Sequence, residues 1–318
     1  MRITRLAPSP TGALHLGNAR TFLVNWLLAA DGGWRTILRI EDLDGPRVKA
    51  GADRQAIEDL RWLGLTWDEG PIYQSTRTTL YNAAAAKLLA EGRAYPCICS
   101  RSEAELASSA PHAEDGPSVY PGTCRGRFAN MEQARAAAGA RGPCLRFAVD
   151  EQSVGVDDSF RGPRHIDVRR LGDFVIAKSD GSPAYHLAVV VDDADMNVTD
   201  VVRGDDLLES AGRQILLYRA LGVGNKIPRY WHLPLVVGSD GRRLAKRHGD
   251  TRLDYYRRRG VAPERVVALL ARWCGIDAGE EPSAADLRGK LDWDRLPRHP
   301  IVFTDANDAF LLRRGQIR

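Results

Sequence analysis

The chain has 318 residues, of which 44% are hydrophobic and 27% are charged, and its formal net charge is +4. It is long enough for two or three domains with a sizeable core, and its composition is that of an ordinary globular protein. The amino terminus has no apolar signal core, and no apolar run approaches the roughly 20 residues that span a bilayer. We therefore expect a cytoplasmic protein, not a secreted or membrane-spanning one.

The first third of the sequence alternates strands with helices. In chain order, the predicted elements are a strand at 2–7 (RITRLA), a turn at 8–18 (PSPTGALHLGN), a helix at 19–30, a strand at 34–40 (WRTILRI), and helices at 52–63 and 78–91. The last helix is expected to stop at Gly92, as glycine commonly ends a helix. This alternation predicts a parallel sheet whose strands are joined by right-handed crossovers.

The composition changes near residue 95. Residues 102–118 are small, polar and proline-containing, which predicts a mobile loop. The remaining predicted elements are strands at 145–149 and 174–178, a buried strand at 187–193 (LAVVVDD), a helix at 207–221, a strand at 232–237 (HLPLVV), a basic loop at 238–250 and a mostly helical region at 251–318. A continuous apolar run such as that at 187–193 is typical of a fully buried strand.

The turn at 8–18 joins a strand to a helix, which is where ligands bind in α/β proteins. A helix amino terminus has unpaired N–H groups and about half a positive charge, so it favours phosphate. Gly12 and Gly17 would let a ligand approach the backbone, and His15 could donate a hydrogen bond to a phosphate oxygen. The alternative is that His15 only caps the helix and the prolines only stiffen the loop.

A second candidate site is the run RRLAKRHGD at 242–250, which crowds five cations or potential cations into seven positions. Such a run is usually a solvated loop. It follows a predicted strand, however, and this places it at the same kind of edge as the turn at 8–18. Lysine suits a mobile clamp for a triphosphate because its charge sits on a flexible stem.

These segments resemble the class I aminoacyl-tRNA synthetases. PSPTGALHLGN is similar to their HIGH signature and RLAKR to their KMSKS loop, while LRIEDLD, AYHLAVVVDD and VVRGDDLLES resemble the glutamyl subgroup. The sequence departs from the two signatures at Asn18, in place of a histidine, and at Ala245, in place of a serine. A second phosphate-binding histidine and one hydroxyl donor are therefore missing, which leaves Lys246 as the main phosphate cation.

The resemblance implies an α/β fold with a Rossmann-type parallel sheet, an inserted α+β zinc-containing subdomain and a C-terminal, mostly helical region. The expected domains are a catalytic nucleotide-binding domain at 1–94 and 187–250, an inserted zinc-binding, acceptor-like subdomain at 95–186 and a stem-contact-like helical region at 251–318. In the implied reaction, the carboxylate of an amino acid attacks the α-phosphate of ATP and pyrophosphate is released.

The resemblance also assigns residues to this reaction, in which the protein mainly aligns the reactants and offsets charge on the phosphates. The expected catalytic residues are His15 and Lys246. The expected ATP-binding residues are Pro8, Gly12, His15, Gly17, Asn18, Leu244, Lys246 and Arg247, with Mg²⁺ brought by ATP. The expected glutamate-binding residues are Arg5, Ser9, Glu41, Tyr185 and Arg203. Taken singly, Glu41 and Arg203 could instead form a surface ion pair, and Tyr185 could be a core residue with a solvated hydroxyl.

The sequence has five cysteines, and an odd number favours thiols or metal ligands over a disulfide framework. Three of them lie close together in a segment with little core, which fits a structural zinc site; ordinary free thiols are the alternative. The expected ligands are Cys97, Cys99, Cys124 and, by the resemblance, Tyr120. His112 is the chemically commoner choice for the fourth ligand. Cys144 and Cys274 are expected to be isolated structural cysteines.

Glutamyl-tRNA synthetases continue beyond the basic loop into a helical anticodon-binding region, for which 318 residues leave no room. In its length and its zinc-type segment, the chain resembles the glutamyl-queuosine tRNA(Asp) synthetases. These enzymes activate glutamate without tRNA and transfer it to queuosine at the wobble position. The implied partners are ATP, L-glutamate and queuosine-containing tRNA(Asp), and we expect a monomer with no membrane partner. The alternatives are a truncated glutamyl-tRNA synthetase that charges a tRNA 3′ end and a non-catalytic, RNA-binding relic of a synthetase.

Overall fold

The computed structural model describes residues 1–100, 103, 119–242, 244 and 249–313. The helices in these residues are α1 (Leu16–Gly32), α2 (Ala52–Trp62), α3 (Thr78–Ala90), α4 (Met131–Ala138), α5 (Tyr185–Asp195), α6 (Leu208–Ala220), α7 (Leu253–Arg258), α8 (Pro263–Arg272) and α9 (Asp305–Leu312). The strands are β1 (Ile3–Leu6), β2 (Arg35–Ile40), β3 (Glu69–Tyr73), β4 (Ala94–Cys97), β5 (Cys144–Phe147), β6 (Ser153–Val156), β7 (Arg164–Asp167), β8 (Phe174–Ala177), β9 (Asp200–Gly204), β10 (Arg229–Leu233), β11 (Val236–Val237) and β12 (Ile301–Val302). Within the described ranges, none of the helices has the length and apolar character needed to cross a membrane.

Parallel strands bring together parts of the chain that are distant in sequence. β1 pairs with β2 and β2 with β3, all in parallel, and β9 pairs in parallel with β10. β9 runs alongside β1, where the Thr199 N–H donates to the Ile3 carbonyl at 2.9 Å. Thr4 Oγ1 lies 2.9 Å from the Asp200 carbonyl at the same junction. The predicted parallel α/β sheet is confirmed, and its strands end at one common edge.

Helix α1 packs against β1 and β9 and supplies much of the core. Its residues Leu16, Leu23 and Leu27 are at most 1% exposed. A buried polar contact also links helix and strand, because Asn25 Nδ2 donates to the Arg5 carbonyl at 2.9 Å. The helix therefore fixes the backbone of a residue that faces the sheet edge described below.

Between α3 and α5 the strands pair in the antiparallel sense. β4, β5 and β8 form one antiparallel sheet, and β6 and β7 form a separate antiparallel pair. Their buried side chains, such as Phe147 and Ile176, share a second core with Leu187 of α5. The predicted α+β character of this region is confirmed. The division of the chain at residues 94, 186 and 250 stays a prediction.

The strand predicted at 187–193 is wrong, because these residues belong to helix α5. Leu187, Val189 and Val190 are at most 2% exposed, so the helix is buried around its circumference. A helix buried on all sides shows the same continuous apolar run as a fully buried strand. The sequence pattern alone could not separate the two.

The strand predicted at 232–237 is two strands. β10 ends at Leu233, and β11 begins only at Val236, because the intervening Pro234 has no N–H to donate to a strand ladder. β11 then pairs in parallel with β12 from the C-terminal region. Helices α7, α8 and α9 are the main regular structure of that region between residues 251 and 313.

Candidate active site

A cavity of about 200 Å³ opens where β1, β2 and β9 end. Arg5 lies near the end of β1, Glu41 directly after β2, and Arg203 near the end of β9; all three line the cavity. Tyr185, the first residue of α5, lines it as well. The structure thus brings together four residues predicted for glutamate binding. The turn at 8–18 contributes His15, Gly17 and Asn18 to the same lining.

Other predicted site residues lie elsewhere. Ser9 is exposed and Pro8 is buried, and neither they nor Gly12 belong to the cavity lining. Leu244 lines a second cavity, next to His15. Two residues predicted to contact ATP lie outside the described residues, namely Lys246 and Arg247.

His15 caps helix α1. Its Nδ1 accepts the backbone N–H groups of Gly17 and Asn18 at 3.1 and 3.3 Å. The Asn18 side chain accepts the His15 backbone N–H at 3.3 Å, which completes a capping box. The structure therefore contains the capping arrangement that was the alternative to phosphate binding, and the two amides expected to face phosphate donate to His15. Because Nδ1 is an acceptor, the neutral ring carries its proton on Nε2.

The position of the His15 ring leaves no room for a side chain at Gly17. A Cβ at this position would lie 3.0 Å from both Cε1 and Nδ1 of His15. We expect Gly17→Ala to displace the ring, weaken the cap and lower the free energy of unfolding by about 1 kcal/mol in a denaturant titration. Gly224→Ala is the control, because a Cβ there meets its nearest neighbour, Arg219, at 3.9 Å. An equal loss in both variants would show that the His15 ring is not the cause.

A buried ion network lies under the cavity. Arg39 is fully buried and donates to Asp193 at 2.6 Å and to Glu41 at 3.0 Å. Asp193 also lies 3.6 Å from Arg5. The network joins β1, β2 and α5, so it fixes Arg5 and Glu41 relative to each other.

Asp192, the residue before Asp193, also anchors helix α5. It accepts hydrogen bonds from Gln74 Nε2 and Arg77 Nε, each at 2.7 Å. The Tyr81 hydroxyl donates to it at 2.8 Å. Asp192 and Asp193 are absent from the predicted site residues. The signal that points to them is a pair of carboxylates within an apolar run, because buried carboxylates need partners.

The charges that face the cavity are of both signs. Burial raises the pKa of Glu41, although the Arg39 and Arg5 guanidinium groups oppose the shift. Arg5 and Arg203 are each 5% exposed and carry fixed positive charge. The lining also includes Asp206, so two guanidinium and two carboxylate groups surround a space that suits a ligand with both cationic and anionic groups.

Arg203 is held from three sides. Its Nε donates to His232 Nε2 at 2.9 Å and its Nη1 to Gln214 Oε1 at 2.9 Å. Its Nη2 donates to the Leu207 carbonyl at 3.1 Å. These contacts use three of the five N–H donors of an arginine, so two can face a ligand.

The chain directly after the basic loop lies beside the turn at 8–18. The Leu16 N–H donates to the Thr251 carbonyl at 3.0 Å, and the Leu253 N–H donates to the Leu14 carbonyl at 2.9 Å. A second cavity between them is lined by Ala13, His15, Leu244, Gly249, Asp250, Thr251 and Arg252. The described residues at the carboxyl-terminal side of the loop, together with Leu244, thus lie next to the turn.

Three cysteines meet in the antiparallel region. The Sγ atoms of Cys97, Cys99 and Cys124 lie within 4.8 Å of one another. The Tyr120 hydroxyl lies 3.3 Å from Cys97 Sγ and 3.5 Å from Cys99 Sγ. Tetrahedral Zn²⁺ with Zn–S bonds of about 2.3 Å holds its sulfur ligands about 3.8 Å apart, so this donor set fits zinc. His112, the alternative fourth ligand, lies outside the described residues.

The prediction that Cys144 is isolated is wrong. Cys144 and Cys97 are register partners on β5 and β4, which brings the two residues side by side. Interactions with Cys144, the Tyr120 hydroxyl and the Arg146 guanidinium lower the pKa of the Cys97 thiol to about 4. The shift favours the thiolate, which is the form that binds metal.

A comparison with known protein families shows to which of them this chain belongs. Residues 2–287 match the family described as tRNA synthetases class I (E and Q), catalytic domain. The chain belongs to this family. It is therefore an enzyme of the ligase class.

Relatives within the family have two names. The Glutamyl-Q tRNA(Asp) synthetase of Symbiobacterium thermophilum is 50% identical over 308 residues, which cover 93% of this chain and 94% of the relative. The glutamate–tRNA ligase of Heliobacterium modesticaldum is 43% identical over 94% of this chain and 62% of the relative. A crystal structure of a glutamate tRNA ligase from Elizabethkingia meningosepticum, in complex with its amino acid, superposes with a TM-score of 0.80 at 28% identity. That match covers 98% of this chain and 68% of the ligase, and it confirms a glutamyl synthetase catalytic fold.

Proposed function

We propose that this protein activates L-glutamate with ATP, without tRNA, and transfers the glutamyl group to queuosine at the wobble position of tRNA(Asp). The observation that carries the activation step is the cavity in which Arg5 and Arg203 face Glu41, beside the turn that contains His15. Glutamate has two carboxylates and one ammonium group, and this set of side chains complements those charges.

In this proposal each group of glutamate has a partner of opposite charge. Glu41 binds the ammonium group, while Arg5 and Arg203 bind the two carboxylates. Tyr185 contributes a neutral hydroxyl at the rim of the cavity. Ser9 is proposed as a further glutamate contact because of the resemblance to the glutamyl subgroup. Glutamine is disfavoured because its side-chain amide would turn N–H donors toward guanidinium donors.

The activation step needs alignment and charge compensation more than covalent chemistry. A carboxylate oxygen of glutamate attacks the α-phosphorus of ATP, forming glutamyl-AMP as pyrophosphate leaves. His15 donates from Nε2 to a phosphate oxygen, and Lys246 offsets the charge that develops on the phosphates. Mg²⁺ bound to ATP supplies further charge compensation. The remaining proposed ATP contacts are Pro8, Gly12, Gly17, Asn18, Leu244 and Arg247.

The transfer step is supported by the 50% identity to a relative named Glutamyl-Q tRNA(Asp) synthetase, over 94% of that relative. A hydroxyl of the queuosine cyclopentene ring attacks the glutamyl carbonyl, an ester forms and AMP leaves. A splayed base in an anticodon loop is a feature that proteins can take into a pocket. The 43% identity to a glutamate–tRNA ligase favours the competing function, esterification of a tRNA 3′ end.

Two assays test the proposal. Glutamate-dependent ATP–pyrophosphate exchange is expected without any RNA, and its absence would favour a non-catalytic, RNA-binding relic. Labelled glutamate should then transfer to tRNA(Asp) that contains queuosine but not to tRNA(Asp) that lacks it. A queuosine-containing tRNA(Asp) trimmed of its 3′-terminal adenosine should still be labelled. Labelling that requires this adenosine and ignores queuosine would instead show 3′-end charging.

We also propose one structural zinc ion held by Cys97, Cys99, Cys124 and Tyr120. The support is the donor set, with three sulfur atoms and a phenol oxygen in mutual contact, and the lowered pKa of Cys97. Such an ion would tie β4 to the residues around Cys124.

Glutamate binding is expected to weaken as the pH falls. Glu41 must be ionised to hold an ammonium group, and burial raises its pKa above the ordinary value of about 4.3. The glutamate KM in pyrophosphate exchange should therefore rise as the pH falls through this raised pKa. The substrate's own side chain, with a pKa of about 4.3, is protonated only at lower pH.

Glu41→Gln is the control for this pH dependence. The variant should have a high glutamate KM that stays constant over the same pH range, because the amide does not titrate. The ATP KM, followed in parallel, reports any titration of His15. A glutamate KM that varies with pH in the same way in both proteins would assign the effect to another group.

A further inference from the structure

We infer that His232 and Asp158 are positioning residues, which hold Arg203 in the orientation that binds a carboxylate of glutamate. The inference rests on the function proposed above, because it takes Arg203 as a glutamate-binding residue. Arg203 lines the cavity, whereas His232 and Asp158 do not. Both therefore act through Arg203 and not on the substrate directly.

The three side chains form a buried line of hydrogen bonds. Asp158 Oδ2 lies 2.5 Å from His232 Nδ1, and Arg203 Nε donates to His232 Nε2 at 2.9 Å. Asp158 is 1% exposed, His232 0% and Arg203 5%. Bulk water therefore cannot replace either contact when a side chain is removed.

The contacts permit one arrangement of protons. An arginine Nε–H can only donate, so His232 Nε2 must accept and the ring proton must lie on Nδ1, toward Asp158. Burial lowers the pKa of His232 and the charge of Arg203 acts in the same direction, although the Asp158 hydrogen bond opposes them. The neutral ring that results is the only form with an acceptor for Arg203, because a protonated ring would aim a second N–H at the guanidinium.

Asp158 is held as a carboxylate. Its Oδ1 accepts the backbone N–H groups of Phe160 at 2.9 Å and Arg161 at 2.6 Å, and its Oδ2 accepts that of His232 at 3.2 Å. Burial opposes ionisation, but the bonds from the His232 ring and from the backbone hold the pKa of Asp158 below its usual range. An ionised Asp158 can only accept, so it selects the Nδ1–H tautomer of His232.

His232 Nε2, which accepts the hydrogen bond from Arg203 Nε, fixes the rotation of the Arg203 guanidinium. Without it, Arg203 would have a buried, unpaired donor, which is costly, and the group would turn to find another acceptor. The imidazole that provides this acceptor is itself fixed, because Tyr230 stacks on it with ring centroids 5.7 Å apart and an interplanar angle of 14°. The same Tyr230 ring lies 5.2 Å from the centre of the Arg203 guanidinium.

The antiparallel region thereby takes part in a site built by parallel strands. Asp158 lies between β6 and β7, whereas Arg203 and His232 lie on β9 and β10. The Ser159 N–H donates to the Tyr230 carbonyl at 2.8 Å, which ties the two segments together next to the three side chains. The orientation of a cavity-lining arginine therefore depends on a residue from outside the parallel sheet.

Three substitutions test whether the hydrogen-bond acceptor of His232, and not the volume of its ring, orients Arg203. His232→Leu removes the acceptor, His232→Gln keeps an acceptor at Oε1, and Asp158→Asn presents an N–H to Nδ1 and so favours the other tautomer. In pyrophosphate exchange, His232→Leu and Asp158→Asn should raise the glutamate KM about tenfold or more at an unchanged ATP KM. His232→Gln should stay within about threefold of the wild type.

Asp200→Asn is the matched control for Asp158→Asn. Asp200 is also fully buried, but it accepts from Arg2 at 2.8 Å and from Trp231 Nε1 at 3.0 Å and makes no contact with Arg203. Its loss should lower the melting temperature and leave the glutamate KM unchanged. A rise in glutamate KM of similar size in this variant would mean that loss of any buried carboxylate disturbs the cavity, and it would overturn the inference.

The tautomer of His232 gives a readout that does not depend on activity. Nitrogen-15 NMR of the imidazole should show the proton on Nδ1 in the wild type and on Nε2 in Asp158→Asn. A wild-type proton on Nε2, or a folded His232→Leu variant with the wild-type glutamate KM, would overturn the inference. If the wild type shows no glutamate-dependent exchange but has the Nδ1 proton, the proposed function fails while the orientation of Arg203 by His232 stands. If His232→Leu does not fold, Asp158→Asn decides by the same two readouts.

Discussion

Arg203→Ala is expected to raise the glutamate KM in pyrophosphate exchange about a hundredfold or more, while the ATP KM stays within about twofold. Arg203 is 5% exposed and has two N–H donors left for the cavity, so a carboxylate placed there would form a charge-assisted, bidentate pair. Removing one member of a buried pair leaves the other charge without compensation, which costs about 3 kcal/mol or more. ATP is proposed to bind on the His15 side, away from this contact.

Two further variants separate this effect from a general loss of structure. Arg203→Lys keeps the charge but not the planar fork, so an intermediate glutamate KM is expected. Arg219→Ala removes an exposed arginine of the neighbouring helix α6, whose partner is Glu151 at 2.6 Å, and should leave both KM values unchanged. If Arg203→Ala raised the glutamate and ATP KM values equally, Arg203 would not belong to the glutamate pocket.

The convergence of Arg5, Glu41 and Arg203 could be predicted because the sheet is parallel. Each residue lies at or just after the carboxyl end of a strand, and those ends share one edge whatever the distance along the chain. The alternation of strand and helix patterns was sufficient to predict that sheet. Ser9 shows the limit of this reasoning, because it lies only three residues beyond the end of β1, yet it is exposed and does not line the cavity.

Contacts made by residues of the antiparallel region could not be predicted. His232 lies in an apolar segment, and its partner Asp158 comes from an antiparallel pair that is 74 positions away in sequence. Cys144 is likewise distant from Cys97 until β4 and β5 pair. Periodicity shows that an element is buried but not which neighbour buries it. A continuous apolar run does not separate a buried strand from a buried helix, so the sequence predicts a strand at 187–193 where the structure has α5.

The turn at 8–18 illustrates how two alternatives can both apply. The sequence left open whether His15 caps the helix or contacts phosphate. The two nitrogens of the ring are distinct, and Nδ1 caps α1 through Gly17 and Asn18. Capping fixes the tautomer, so Nε2 carries the proton that phosphate binding requires. The cap therefore prepares the donor that the proposed mechanism uses.

The double variant Cys97→Ser, Cys99→Ser is expected to lose zinc and to loosen β4 and β5. A hydroxyl is a poor zinc ligand, and the two remaining donors would not retain the ion. Metal content by mass spectrometry should fall from one zinc per chain to none. Hydrogen exchange in β4 and β5 should accelerate at least about tenfold, which is ~1.4 kcal/mol of local stability.

Two single substitutions test whether the effect is specific to the cluster. Cys274→Ser alters a fully buried cysteine in the core that contains helix α1, so it should lower stability and leave the zinc content at one per chain. Cys144→Ser should also retain zinc, because Cys144 is the register partner of Cys97 but is not among the three cysteines whose sulfur atoms converge. Loss of zinc from Cys144→Ser would make it a ligand in place of Tyr120. Unchanged zinc in the double variant would place the metal elsewhere, because no site of this kind keeps its ion after losing two of three thiolates.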